Sequence, residues 1–144
     1  MVEIKQLTKA SEEALKDIVH LISELRRNPE EHTGSISDLQ DIIGDKNVTM
    51  MVAKDGTNIV GMATLYMLVK VGKHVGYVED VVVDSRYRGQ GLGAKLMQSL
   101  VAAARDKKLN ALFLTSNAKR EAANNLYTKL GFEIVETNPY KLRL

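Results

Sequence analysis

Cysteine and tryptophan are both missing from this 144-residue chain, and only 5% of its residues are aromatic. Without cysteine there is no disulfide framework, no thiolate metal site and no cysteine nucleophile to carry an acyl group. Two phenylalanines and five tyrosines are too few for a platform on which single-stranded nucleic acid would stack its bases. A charge excess is missing too: 20 Lys+Arg stand against 18 Asp+Glu, +2 with His neutral. No concentrated basic tract therefore asks for nucleic acid. No apolar run approaches the roughly 20 residues that cross a bilayer. The opening MVEIKQLTKASEE is too polar and too acidic for a secretory leader. These absences predict a soluble, cytoplasmic protein with neither membrane nor nucleic-acid partner, in which the sequon Asn47-Val48-Thr49 is without consequence.

What remains is an ordinary globular composition, 44% hydrophobic and 26% charged, at a length that suits one domain over residues 1–144. Its core needs no disulfide or metal staple. Val2–Leu7 alternates as a first strand. Ser11 reads as an N-cap, and Leu15, Ile18, Ile22 and Leu25 fall at helical spacing, which predicts a helix over 11–27 stopped by Asn28-Pro29. A polar loop and a second short helix follow, with Ser37 and Gln40 at capping-box spacing and Gly44 at its end. Val48–Ala53 and Ile59–Val69 read as strands joined by the hairpin turn Lys54–Asn58, and Tyr77–Val83 as a third after a turn at Gly72. Then come a helix over 91–107 with Leu92, Leu96, Leu100 and Ala104 on one stripe, a short buried strand Ala111–Thr115, and a helix over 118–130 closed by Gly131. Phe132–Val135 and Tyr140–Leu144 are expected to be two closing strands. No repeat, linker or low-complexity stretch interrupts this α+β order.

The most informative stretch runs from Val81 through Asp84, Arg88, Gly89, Gln90, Gly91, Leu92 and Gly93 to Ala94. A strand enters a polar turn, three glycines follow at alternate positions, and a helix begins. Glycines let backbone N–H groups close on a ligand, and a helix N-terminus adds partial positive charge, so pyrophosphate is the natural guest. A nucleotide-triphosphatase loop is excluded, because Ala94-Lys95-Leu96 supplies no hydroxyl after the lysine. Gly89-x-Gly91-x-x-Ala94 satisfies a dinucleotide fingerprint literally. Against it stand its place after an antiparallel meander, the five polar residues Asp84–Arg88, and the lack of an acid ending Leu112-Phe113-Leu114-Thr115.

Arg88-x-x-Gly91-x-Gly93, directly after a strand and opening a helix, resembles the pyrophosphate loop of the GNAT family of N-acetyltransferases. The likeness extends to Val78-Glu79-Asp80-Val81-Val82-Val83, similar to that family's central strand, and to Ala123–Phe132, similar to its closing helix and strand. Together these parts span about residues 77–135. The resemblance implies a GNAT-like fold: a mostly antiparallel central sheet, splayed in the middle, flanked by four helices. It implies acetyl-coenzyme A as co-substrate, with no metal. The backbone of Val81, Val82 and Val83 would pair with the pantetheine arm. The amides of Arg88, Gly89, Gln90, Gly91, Leu92, Gly93 and Ala94 would wrap the pyrophosphate, and Asn124 would hydrogen-bond the cofactor.

The same resemblance implies Tyr127 as the acid that protonates the departing thiolate, and Glu79 as the base for the incoming ammonium, directly or through water. A tyrosine with a pKa of about 10 is protonated at neutral pH and able to donate. Alternation along a strand would put Glu79 and Asp80 on opposite faces, and a similar Glu-Asp pair precedes the valines in the family's sugar-phosphate acetyltransferases. Arg120 stands where many members carry asparagine, which opens the roles of Arg120 and Asn117. The expected reaction is direct transfer of an acetyl group to a primary amine within a ternary complex. The alternatives are a non-catalytic acyl-coenzyme A-binding module or a dinucleotide-binding oxidoreductase. The acceptor is a small molecule or peptide whose identity the sequence leaves open. His20, His32 and His74 lack ligand spacing, with His32 in the loop where the family builds its acceptor pocket. Lys141 and Arg143 would meet an anionic substrate or solvent, and an exposed edge at Tyr140–Leu144 would invite a homodimer.

Overall fold

Ser11 opens the first helix with its own side chain: Oγ accepts the Ala14 N–H at 3.1 Å, and its carbonyl accepts from Leu15. Glu12 and Glu13 follow, where the helix dipole favours negative charge. The computed structural model describes residues 1–25 and 34–144. The end of this helix, the Asn28-Pro29 stop and His32 lie outside the described residues. The chain forms two compact units, Met1–Leu114 and Thr115–Leu144.

In the first unit the order is β1 (Val2–Gln6), α1 (Glu12–Leu25), α2 (Ile36–Gly44), β2 (Val48–Asp55), β3 (Asn58–Lys70), β4 (Lys73–Val83), α3 (Leu92–Asp106) and β5 (Ala111–Phe113). The sheet runs β1-β2-β3-β4-β5, antiparallel except for the parallel pair β4–β5. On one face Met50, Val52, Met62 and Val82 pack with Ala14, Ile18 and Leu21 of α1 and Leu39 of α2. On the other, α3 buries Leu92, Leu96, Met97, Leu100 and Ala104; a Cβ on Gly61 would lie 3.2 Å from Leu96 Cδ1. The hydrophobic spacing of 91–107 is thus realised as the inner face of α3.

Several local expectations shift. The capping box of α2 is Ser35 with Asp38, each side chain bonding the other's backbone N–H, and not Ser37 with Gln40. Gly44 ends the helix as expected, with Asp45 as C-cap. β4 begins four residues earlier than predicted, at Lys73, because the turn at Gly72 (φ +85°) closes a long hairpin. β5 is shorter than predicted and lies at the sheet edge, with Ala111 and Phe113 exposed instead of buried.

In the second unit α4 spans Glu121–Lys129, three residues later in its start than expected, because Asn117 to Arg120 form a turn closed by the Asn117 carbonyl. Gly131 (φ +95°) ends α4 in a Schellman arrangement, the Phe132 N–H reaching back to the Tyr127 carbonyl. The two closing strands do not form. Phe132 N–H is spent on that cap, Pro139 has no N–H to give, and this unit holds no other strand to pair with. Ile134, Tyr140, Leu142 and Leu144 are exposed, and the edge on which the expected homodimer rested is absent. Among the described residues, four helices and an open, mostly antiparallel five-stranded sheet are the α+β architecture expected.

Candidate active site

β4 has two neighbours for only part of its length. β3 follows it to Val83, whereas β5 pairs with Val75, Gly76 and Tyr77 alone. From Val78 onward the edge toward β5 has no strand partner among the described residues, which is the expected splay. Val82 is buried in the α1–α2 core, and Val81 and Val83 are half-buried. Such an edge presents main-chain donors and acceptors that need a partner, as an extended amide-bearing arm would be. The Val83 carbonyl already accepts Arg88 Nε at 3.1 Å, which narrows the ligand role expected of it.

Beyond β4 the chain is tied down at four points before it reaches the glycines. Asp84 caps a 3-10 turn over Ser85–Tyr87. It is buried and takes a fork of bonds from Arg86, Nε at 3.1 Å and Nη2 at 3.0 Å, plus the Arg86 N–H at 2.9 Å. The Arg86 hydrogen bond holds its pKa down at about 2, against the opposing effect of burial. Tyr87 donates to Asp55 at the end of β2 at 2.6 Å, and Arg88 Nη2 reaches Glu24 of α1 at 2.9 Å. Gly89 (φ +79°) and Gly91 (φ +77°) then bring the chain into α3. At both positions the space a Cβ would take is open within 4 Å, and no side chain caps the first turn of α3. The N–H groups of that turn have no intrahelical acceptor. An open, left-handed approach at the positive end of a helix fits a pyrophosphate.

Glu79 lies on the edge-open half of β4, and the simple alternation fails there. Thr64 pairs with Glu79 but Met62 pairs with Val82, so Asp80 and Val81 together oppose Ala63. Asp80 takes φ +53° to make this bulge. The bulge carries Val82 to the α1–α2 core face, where strict alternation from Glu79 would have put it on the other. Both acids act on Tyr66, whose pKa is raised by burial first, then by Asp80 and Glu79. Glu79 is itself raised above the usual carboxylate range, by desolvation and by the Asp80 charge. Tyr66, Met67, Leu68, Tyr77 and Glu79 line one shallow cleft, with Tyr77 stacked on Phe113 at 5.5 Å. The other main cavity, by Ile43–Lys46 and Ala103–Lys107, shares no residue with this cleft.

In the second unit Tyr127 is buried, and its ring meets Phe132 edge-on at 6.0 Å. Burial raises its pKa, and the Arg120 charge pulls the other way. The phenol stays protonated at neutral pH, beside a cation that favours its anion. Asn124 Nδ2 donates to the Asn117 carbonyl at 2.9 Å, so that side chain first serves the turn before α4.

Sequence reasoning did not find the cluster at the start of the loop. His20 Nε2 lies 3.4 Å from Asp84 Oδ2 and 3.6 Å from Glu24 Oε1, and the three groups lie close enough to share an ion. Both carboxylates are already paired, Asp84 with Arg86 and Glu24 with Arg88, which makes this an ion-pair joint between α1 and the loop. No spacing in the chain announces it, since 64 positions separate Glu24 from Arg88.

Comparison with known proteins agrees with this architecture. The chain matches the Acetyltransferase (GNAT) family over residues 15–132, and it belongs to that family. A probable glucosamine 6-phosphate N-acetyltransferase 2 of Oryza sativa subsp. japonica is 32% identical over 142 residues, 91% of this chain and 81% of that protein. A glucosamine 6-phosphate N-acetyltransferase of Trypanosoma brucei brucei is 42% identical over 81 residues, 54% of this chain. That match spans about half the relative's length, 53%. Among solved structures, an acetyltransferase of Trypanosoma brucei superposes with a TM-score of 0.81 at 30% identity, over 100% of both chains. The class is therefore that of acyl-coenzyme A-dependent N-acetyltransferases, enzymes that use acetyl-coenzyme A as co-substrate. Neither the binding-module nor the oxidoreductase alternative finds support in these likenesses.

Proposed function

We propose that this chain acetylates the primary amine of a small phosphorylated amino sugar, taking the acetyl group from acetyl-coenzyme A by direct attack. The observation that supports the donor half is that β5 pairs with β4 only at Val75–Tyr77, leaving the later part of β4 with no strand on that side among the described residues where it runs into Gly89, Gly91 and the start of α3. Val81–Val83 bind the pantetheine arm, and the amides of Arg88–Ala94 take the pyrophosphate. The acceptor half is supported by the names of the rice and trypanosome relatives, and by an aminoalkylphosphonate N-acetyltransferase of Salmonella typhimurium that is 26% identical over 89% of this chain. All three names pair an amine with a phosphoryl or phosphonyl group.

Glu79 takes a proton from the incoming ammonium. The free amine attacks the thioester carbonyl, the carbon–nitrogen bond forms, and the carbon–sulfur bond breaks. Tyr127 gives its proton to the departing thiolate; of the two protons left on the nitrogen one stays as the amide N–H and the other is released to solvent, from which Tyr127 is reprotonated and to which Glu79 returns its proton. Cysteine is absent from the chain, so none of its side chains offers a thiol for an acyl relay. Holding both reactants in one complex supplies the rate advantage of proximity.

Thiol release with a panel of acceptors tests this. Glucosamine 6-phosphate is expected to turn over at least ten times faster, at equal subsaturating concentration, than glucosamine; roughly 1.4 kcal/mol from the phosphate contacts is enough. A polyamine or a lysine peptide as best acceptor would overturn the acceptor and leave the donor half intact. Gly91→Glu, which puts a charge and a strained φ at the pyrophosphate, is expected to weaken coenzyme A binding by more than tenfold. Unchanged affinity would overturn the glycine-loop assignment.

A further inference from the structure

Arg88 stands immediately before the first left-handed glycine of the loop, yet its side chain reaches back to β4 and across to α1. Nε donates to the Val83 carbonyl at 3.1 Å, and Nη2 donates to Glu24 Oε2 at 2.9 Å. The Glu24 side chain is 18% exposed against 58% for Arg88, so the carboxylate is the sheltered partner. Its other oxygen, Oε1, lies 3.6 Å from His20 Nε2. His20 and Glu24 are one turn apart on α1, and the residues they meet, Asp84 and Arg88, flank the 3-10 turn Ser85–Tyr87. α1 thus holds the loop at two points, and Glu24 holds the one nearer the glycines. After Arg88 come Gly89 and Gly91, both at positive φ, and glycine loses the most conformational freedom when it is ordered. Organising their amides around an anion costs less when the residue before them is already fixed.

We propose that Glu24 is a positioning residue for acetyl-coenzyme A: by holding the Arg88 side chain against α1, it fixes the point from which the amides of residues 89–94 close on the pyrophosphate. This rests on the assignment of that loop to the pyrophosphate. A guanidinium in an anion-binding loop has two uses, as a charge for the anion or as a tether for the backbone. Here Nε and Nη2 are both taken by protein oxygens, and a carboxylate neutralises the charge. That geometry favours the tether. The two uses predict opposite signs when Glu24 is removed. Freeing a cation beside the pyrophosphate would tighten coenzyme A, whereas releasing a tether weakens it. The tether also acts only on donors that carry a pyrophosphate, since the pantetheine arm lies along residues 81–83 in the same reading.

The test measures affinity for coenzyme A by calorimetry, and for pantetheine, which lacks the pyrophosphate and the nucleotide, by NMR chemical shift. Glu24→Ala, Arg88→Ala and the double variant are compared with the parent chain. Glu24→Ala is expected to weaken coenzyme A about tenfold and to leave pantetheine within about twofold. It should melt close to the parent without ligand, because alanine suits a helix. Arg88→Ala should cost as much, and the double variant no more than either single change, because the two side chains act as one tether. Unchanged or tighter coenzyme A in Glu24→Ala would overturn the role of Glu24 and leave the loop assignment standing. An equal loss for pantetheine, or losses that multiply in the double variant, would overturn it too. A parent chain that holds coenzyme A no more tightly than pantetheine would overturn the pyrophosphate assignment, and the tether with it.

Discussion

The two halves of β4 differ in what lies beside them. From Val75 to Tyr77 the strand has β3 on one edge and β5 on the other, and Gly76 is so enclosed that a Cβ there would lie 2.6 Å from both Leu65 and Leu112. From Val78 to Val83 it keeps β3 alone, carries a bulge at Asp80, and holds the raised carboxyl of Glu79. One strand thus divides into a half with a strand on both sides and a half with β3 alone. Sheet pairing and ligand binding compete for the same backbone groups, so the proposed donor site falls beyond the end of β5. Substitutions in the two halves should fail in different currencies.

The largest effect is expected in the open half. Glu79→Gln should lower kcat/KM on the order of 10²–10³-fold with the melting temperature nearly unchanged, since the residue is exposed and removes a proton acceptor, not packing. Tyr127→Phe should cost about 10²-fold in kcat with coenzyme A affinity intact. Steady-state kinetics beside a coenzyme A titration checks both. Full activity in either variant would remove that residue from the reaction.

In the packed half the loss should be one of stability. Gly76→Val drives methyl groups against Leu65, Leu109 and Leu112, a cost of about 1–3 kcal/mol. Denaturant unfolding should show that loss, while kcat/KM per folded molecule stays within about twofold at 25 °C. An equal loss of activity would mean that the two halves are not separable.

Asp84 marks the boundary where β4 becomes loop, and its effect should depend on pH. Its pKa is about 2 in the folded chain, below the roughly 3.9 of a free aspartate. A depressed folded pKa stabilises fully above the unfolded value, and that stability is lost as pH falls from about 4 through 2. Asp84→Asn should therefore melt roughly 3–5 °C below the parent at pH 7, with the gap closing across that window. A gap that stays constant down to pH 2 would show that packing, not charge, anchors the loop.

The sequence made the open half legible in part. Ser11, the Gly56 hairpin, the α3 stripe and the glycine loop are local signals, each readable within one turn or one period, and they appear where expected. What escaped detection was set by distant partners. The capping box fell one motif early because two serines, Ser35 and Ser37, offer the same chemistry, and only the chain's approach to α2 chooses between them. The closing strands had the right residues and no partner to pair with. Strict alternation missed the bulge, since nothing in Glu79-Asp80-Val81 spells one until Ala63 is seen to face two residues.

That bulge yields the smallest and most discriminating expectation. Asp80 adopts φ +53°, a conformation asparagine also tolerates, so Asp80→Asn should keep the bulge while removing a negative charge beside Glu79. The Asp80 charge is one of the two causes that raise the Glu79 pKa, after desolvation. Without it the carboxyl ionises at lower pH, and the acid limb of kcat/KM should shift downward by a few tenths of a unit. The rate on the plateau should fall slightly as well, since a base of lower pKa accepts the ammonium proton less willingly. Asp80→Ala has the same charge effect but a side chain ill suited to positive φ, so it should lose stability in addition. If both variants move the limb alike and only the alanine loses stability, Asp80 tunes the base through charge and shapes the strand through its backbone, two separable contributions from one residue.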